Sequence, residues 1–190
     1  MTRLIKICTG TLALAAFLTG CSSLADWRDS ANKENPAPCP NVIVLQDAGR
    51  MVQFSGEPTL ENVAYTAEIT NVQTTCRYYD DAPIEAAVEV DFAFGRGPQA
   101  TANTMDVSYF VAVTRMDRDV IAKEEFTLPV RFRGDSATAT LSDTVGSIVI
   151  PRKDSSTSGT NFEIVVGLAL TREQVLYNRS GQSLKFPDLD

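Results

Sequence analysis

Histidine is absent from this 190-residue chain, and with it go the commonest general base and the commonest metal ligand. A serine nucleophile activated by a histidine–aspartate pair is therefore excluded. No Ser-x-x-Lys spacing sits in a strand–turn–helix setting that could replace it. Cationic side chains are scarce: 17 Lys and Arg face 24 Asp and Glu, a net charge of −7. That balance argues against a nucleic-acid partner, because phosphate binding needs clustered cations. There is one tryptophan, no internal repeat, and no apolar run comfortable as a membrane-spanning helix. The 44% apolar content is ordinary for a globular chain and enough for one sizeable core.

What is present begins with an address. Arg3 and Lys6 precede an apolar stretch, interrupted by Thr9, Gly10 and Thr11, that ends Leu12-Ala13-Leu14-Ala15-Ala16-Phe17. Leu18-Thr19-Gly20-Cys21 follows. A basic n-region, an h-region and this tetrapeptide together resemble the bacterial lipoprotein signal, in which small residues precede a cysteine that is acylated and becomes the first mature residue. The resemblance covers about the first 21 residues. It implies a signal over 1–20, a thioether-linked diacylglycerol on Cys21, and usually a further acyl chain on its amine. Each buried CH₂ contributes about 0.8 kcal/mol, and two or more chains anchor stably where one does not. In Gram-negative lipoproteins an aspartate after the cysteine commonly retains the protein in the inner membrane. Ser22 and Ser23 stand here instead, which favours the periplasmic face of the outer membrane.

Cysteine arithmetic follows from that address. Cys8 leaves with the signal and Cys21 is acylated, so Cys39 and Cys76 remain, in a compartment where disulfides persist. They are expected to bond; no histidine or third cysteine completes a metal site. Removal of Arg3 and Lys6 with the signal leaves 15 basic side chains against 24 acidic, a charge of −9, which argues against a polybasic lipid-binding patch.

Residues 21–38 read as a flexible tether without apolar period, with Trp27 either at headgroup level or simply exposed. A single domain follows over 39–180, then a loosely ordered tail over 181–190. The domain reads as β. Asn41 to Leu45 opens a strand that could continue past Gly49 to Phe54, and Ser55-Gly56-Glu57-Pro58 turns the chain. Val63, Tyr65, Ala67 and Ile69 alternate with polar residues. A hairpin about Gly56-Glu57 would bring Cys39 near Cys76. Ala86, Val88, Val90, Phe92 and Phe94 share one face of the next run, with Glu85 and Glu89 opposite. Val107, Tyr109, Val111 and Val113 share another, paired through a turn at 116–119 with Val120 to Leu128. Pro129 demands an edge or bulge. Shorter strands are expected near Ala137–Leu141 and Ser147–Ile150, an exposed loop over 154–160, and a last strand presenting Phe162, Ile164, Val166, Leu168 and Leu170. Thr171 and Gln174 fit a capping box opening a short helix that carries Val175 and Leu176 toward the body.

Seven or eight such strands predict an antiparallel sandwich of immunoglobulin or fibronectin-III type with a short C-terminal helix, the alternative being a small closed barrel. An outer-membrane barrel is disfavoured by charges such as Glu124 and Glu125 on its would-be outer band. No catalytic constellation stands out. Asp80-Asp81 reads as a solvated turn, and Asp117-x-Asp119 with Glu124 and Glu125 lacks the glycine-containing loop that calcium needs. Gly95-Arg96-Gly97 is followed by proline rather than a phosphate-binding helix. Two groups are candidate partner contacts: Arg131-Phe132-Arg133 on an edge, and Tyr78-Tyr79 beside Arg77. The expectation is a non-enzymatic lipoprotein without cofactor or metal, anchored through Cys21 and acting on envelope proteins as an accessory subunit. A carbohydrate- or peptidoglycan-binding module is the alternative.

Overall fold

The computed structural model describes residues 38–116 and 119–183; the lipobox-like 18–21 segment, the tether to residue 37, Asp117 and the tail from residue 184 lie outside them. Among the described residues eight strands and one α-helix follow in chain order: β1 Asn41–Val44, β2 Arg50–Phe54, β3 Val63–Arg77, β4 Ile84–Arg96, β5 Thr104–Arg115, β6 Val120–Arg131, β7 Thr138–Ile150, β8 Phe162–Leu168 and α1 Arg172–Arg179. They form two four-stranded sheets, β1-β8-β5-β6 and β2-β3-β4-β7. All pairings are antiparallel except β1 with β8. The sheets make a β-sandwich and no closed barrel. Among the described residues no helix is long and apolar enough to cross a membrane.

The alternation that defines these strands also builds the core. Ala86, Val88, Val90, Phe92 and Phe94 of β4 are all buried, as are Val107, Tyr109, Val111 and Val113 of β5. Side chains of period two point to one face of a strand, so each sheet contributes one apolar surface to the interior. The rings of Phe92 and Tyr109 meet edge to face across the two sheets, with centroids 5.1 Å apart, a geometry that aromatic pairs prefer.

Four features differ from the sequence expectation. β1 does not run on into β2. A 3₁₀ turn over Gln46–Ala48 carries the chain from one sheet to the other, and β1 ends with the Leu45 N–H donating to the Val166 carbonyl. Consequently the Cys39–Cys76 disulfide exists, but not through a hairpin that aligns the cysteines. β2 does pair with β3, yet its first residue, Arg50, is already opposite Glu68. Cys76 lies eight residues further along β3, and its partner precedes β1 in the other sheet. The bond is an inter-sheet staple.

β7 is one strand of thirteen residues rather than two short ones. A bulge interrupts its pairing between Ala86↔Ile148 and Val88↔Val145, where Ser147 takes a positive φ of 61°. Such a bulge absorbs extra residues without ending a strand, so Gly146 and Ser147 mark a kink and not a boundary. Finally, both capping-box hydrogen bonds of Thr171 and Gln174 are present, but Leu176 faces solvent. Asn178 takes the inward position instead, its Nδ2 donating to the carbonyls of Asp47 and Arg50. Residues 176 and 178 stand about 200° apart around a helix, so only one can face the body.

Candidate interaction surface

The two groups of candidate contacts lie at opposite ends of β4. Tyr78 and Tyr79 follow the end of β3, where Arg77 pairs with Glu85. Arg131 to Arg133 lie at the other end, where Phe132 meets Arg96. At about 3.3 Å per residue the thirteen residues of β4 separate them by ~40 Å. They do not form one patch.

Tyr78 is a structural post, not a contact surface. It is 4% exposed, because it continues the inward parity of Thr74 and Cys76 past the end of β3. Its hydroxyl donates to the Pro38 carbonyl at 2.8 Å and accepts from the Gly159 N–H at 3.0 Å. The Arg152 guanidinium lies 4.6 Å from its ring centroid. That guanidinium also donates to the carbonyls of Ala82, Thr157, Tyr79 and Asp80, which fixes the Asp80-Asp81 turn. A Cβ on Gly159 would stand 2.2 Å from the Pro38 oxygen, so only glycine permits the approach. With the disulfide, these contacts close the end of the sandwich at which the chain enters it. Tyr79, at 44% exposure, stays available to solvent.

At the other end Phe132 is also buried, at 2% exposure. It stacks on Tyr65 with centroids 6.3 Å apart and lies beneath the Arg96 guanidinium, 5.8 Å away. The sequence cluster therefore splits: Phe132 is an anchor, and Arg131 and Arg133 on either side of it are exposed. Arg96, which donates to the Asn103 side chain, completes a corner of three cations. Ion pairs join Arg50 to Glu68, Arg77 to Glu85, Lys123 to Glu125 and Arg179 to Asp47. Among the described residues no carboxylate pairs with Arg96, Arg131 or Arg133. The corner was half legible from Arg131 and Arg133, but Arg96 joins it only through the fold. Pro129 sits in β6 at the edge of its sheet, opposite Asp106, as its missing N–H requires.

Shallow depressions mark the surface of the described residues, three of them as follows. One of about 550 Å³ lies between the ends of β3, β4 and β7, where Arg77 and Glu85 are ion-paired. A second of about 360 Å³ runs between β2 and α1, beside Phe54 and Tyr177. A third, of about 210 Å³, opens between β6 and β7 and is mainly apolar in its lining side chains. Each is lined by a single carboxylate, Glu85, Glu173 or Glu124 respectively, so none places two carboxyl groups across a cleft as glycoside hydrolysis does. No group of three metal-ligating side chains occurs among the described residues. The Asp154 carboxyl is held below its ordinary range by hydrogen bonds, above all from Ser156, which is loop architecture. At Gly97 a Cβ would lie 2.3 Å from the Val63 carbonyl oxygen, so Gly97 serves a close backbone approach.

Comparison of the chain with protein families, with curated proteins and with solved structures returned no match.

Proposed function

We propose that this protein is a lipid-anchored lipoprotein of the outer membrane, facing the periplasm, which works as a non-catalytic interaction subunit of a cell-envelope assembly. The lipobox-like Leu18-Thr19-Gly20-Cys21 supports the anchor, and Ser22-Ser23 supports the outer membrane as its destination. The observation that carries the interaction role is the contrast between the two ends of the sandwich. The chain from Cys21 enters at an end closed by the Cys39–Cys76 disulfide and by Tyr78 and Arg152. The opposite end presents Arg131 and Arg133, exposed and without ion partners among the described residues. On an acidic protein, such a corner favours a partner surface bearing carboxylates, for which the planar guanidinium fork is well shaped.

The test is crosslinking in intact cells, purification of the lipidated protein, and mass spectrometry. The Cys21→Ser chain and the R131E/R133E chain serve as controls. The expected result is a reproducible envelope-protein partner that is lost from both controls, with lipid labelling lost only from Cys21→Ser. Recovery of the protein alone, or only with cell-wall fragments, overturns the reading in favour of a carbohydrate-binding module. Unchanged membrane fractionation and lipid labelling of Cys21→Ser overturn the anchor.

A further inference from the structure

The sandwich has four sheet edges, and they are not equally guarded. β1 and β2, on one flank, are joined by the 46–48 turn. α1 packs there too, Asn178 binding the carbonyls of Asp47 and Arg50 and Arg179 pairing with Asp47. β6, on the other flank, carries Pro129 and the charges of Lys123, Glu124 and Glu125, which are ordinary devices against unwanted strand pairing. β7 carries thirteen residues with no proline, lysine or arginine and one charge, Asp143. That charge turns inward, its carboxylate accepting from the Tyr109 hydroxyl. Before the bulge the side chains β7 shows outside are hydroxyls, those of Thr138, Thr140, Ser142 and Thr144, all exposed; beyond it Val149 is exposed as well. Leu141 has inward parity, opposite Phe92, yet is 38% exposed because no strand lies beyond it.

Beside this edge lies the groove between β6 and β7, lined by Val111, Val113, Ile121, Phe126, Val145 and Ile148 among others. We infer that the β7 edge over Thr138–Val145 receives an extended segment of a partner protein as a ninth strand, with apolar side chains at every second residue and lysine or arginine between them. Main-chain hydrogen bonds would supply affinity, at Thr140 and Ser142 directly and at Thr138 and Thr144 by displacing the Ser136 hydroxyl and the Asp143 carboxylate that hold their N–H groups, and alternate side chains would supply selectivity. The inward set of such a strand covers Leu141 and reaches the groove at its Val145 end. Its outward set crosses the uncharged hydroxyl row toward Glu89 and Asp91 of β4, about 10 Å away at two strand spacings. Glu89 has no ion partner among the described residues, and Asp91 is bonded to the neutral side chains of Ser142 and Asn71. Charge therefore selects a basic segment over an acidic one. It also selects against a second copy of this chain, which would bring the same net negative charge and, on β7, no cation. The bulge at Gly146–Ser147 ends the regular ladder and limits the pairing to eight residues. This inference rests on the interaction role proposed above but not on the lipid.

The test uses the purified full chain in mild detergent and a fluorescein-labelled octapeptide of alternating lysine and valine, read by fluorescence anisotropy. Comparison peptides are the same octapeptide N-methylated at alternate backbone nitrogens, in each register, and an alternating glutamate–valine octapeptide. The lysine–valine peptide is expected to bind at least about tenfold more tightly than the glutamate–valine peptide and than one N-methylated register. T140K/T144K, with an unchanged melting temperature, is expected to weaken it by a similar factor. Equal binding of both N-methylated registers would reduce the effect to charge attraction and overturn the inference, as would an absence of lysine–valine binding. A dimer in sedimentation that T140K/T144K dissociates would replace the partner strand with a second copy. Because the measurement is made on purified chain, its failure leaves the anchor and the arginine corner to be judged by the crosslinking.

Discussion

The hydroxyl of Tyr109, in one sheet, donates a 2.7 Å hydrogen bond to the carboxylate of Asp143 in the other. Tyr109 is completely buried, so its hydroxyl has no water to fall back on. Asp143 lies on an edge strand and is half-buried; one of its oxygens also accepts the Thr144 N–H at 2.9 Å. The bond thus satisfies a core phenol and turns an edge carboxylate away from solvent in one contact.

Its two halves are expected to respond unequally to mutation. Asp143→Ala strands a buried hydroxyl and should destabilise by about 1–3 kcal/mol. Tyr109→Phe leaves a carboxylate that keeps the Thr144 amide and partial solvation, and should cost about 1 kcal/mol. The double variant should lose less than the sum, since both remove the same bond. Urea denaturation of the three variants measures this, and full additivity would mean the contact contributes nothing.

Alkaline pH offers a second reading of the same bond. Burial, then the hydrogen bond and negative charge of Asp143, push the Tyr109 phenol well above its ordinary 10.0. The folded chain therefore keeps a proton that the unfolded chain releases above pH 10. Stability from this group is complete below pH 10 and is lost as pH rises beyond it, by up to about 1.4 kcal/mol per pH unit. Denaturation series at rising pH should show a shallower decline for Tyr109→Phe than for the parent chain; parallel declines would exclude the phenol as their source.

The Cys39–Cys76 bond closes a span of 37 residues. Chain-entropy reasoning assigns such a crosslink about 4 kcal/mol. The urea midpoint of the C39A/C76A chain should fall accordingly, and a loss below about 1 kcal/mol would show that the closed end is held by its other contacts.

Gly159→Ala tests those other contacts. The new Cβ meets the Pro38 carbonyl, which is backbone and cannot swing aside, so the 38–39 segment must shift and the Tyr78 hydroxyl must lose a partner. A destabilisation of about 2 kcal/mol or more is expected. Thermal melting beside a Gly146→Ala control, where a Cβ would meet open space and the φ, as at Gly159, is not positive, isolates the effect of crowding.

Much of this architecture was legible in the chain itself. The alternation from Ala86 to Phe94 and from Val107 to Val113 determined which side chains are buried, because a strand's two faces are set by local geometry whatever pairs beside it. The Thr171–Gln174 capping box is equally local, its two hydrogen bonds closing within one turn. Assigning Cys8 and Cys21 to the proposed signal and anchor leaves Cys39 and Cys76 as the expected pair, and the structure has that bond. Identity of neighbours is another matter. That β1 leaves β2 to lie parallel to β8, that Phe132 and Tyr78 are buried between arginines, and that Asp143 meets Tyr109 all depend on segments tens of residues apart. Alternation carries no information about which strand comes alongside; only packing of the two sheets decides that, and with it which edge is left open.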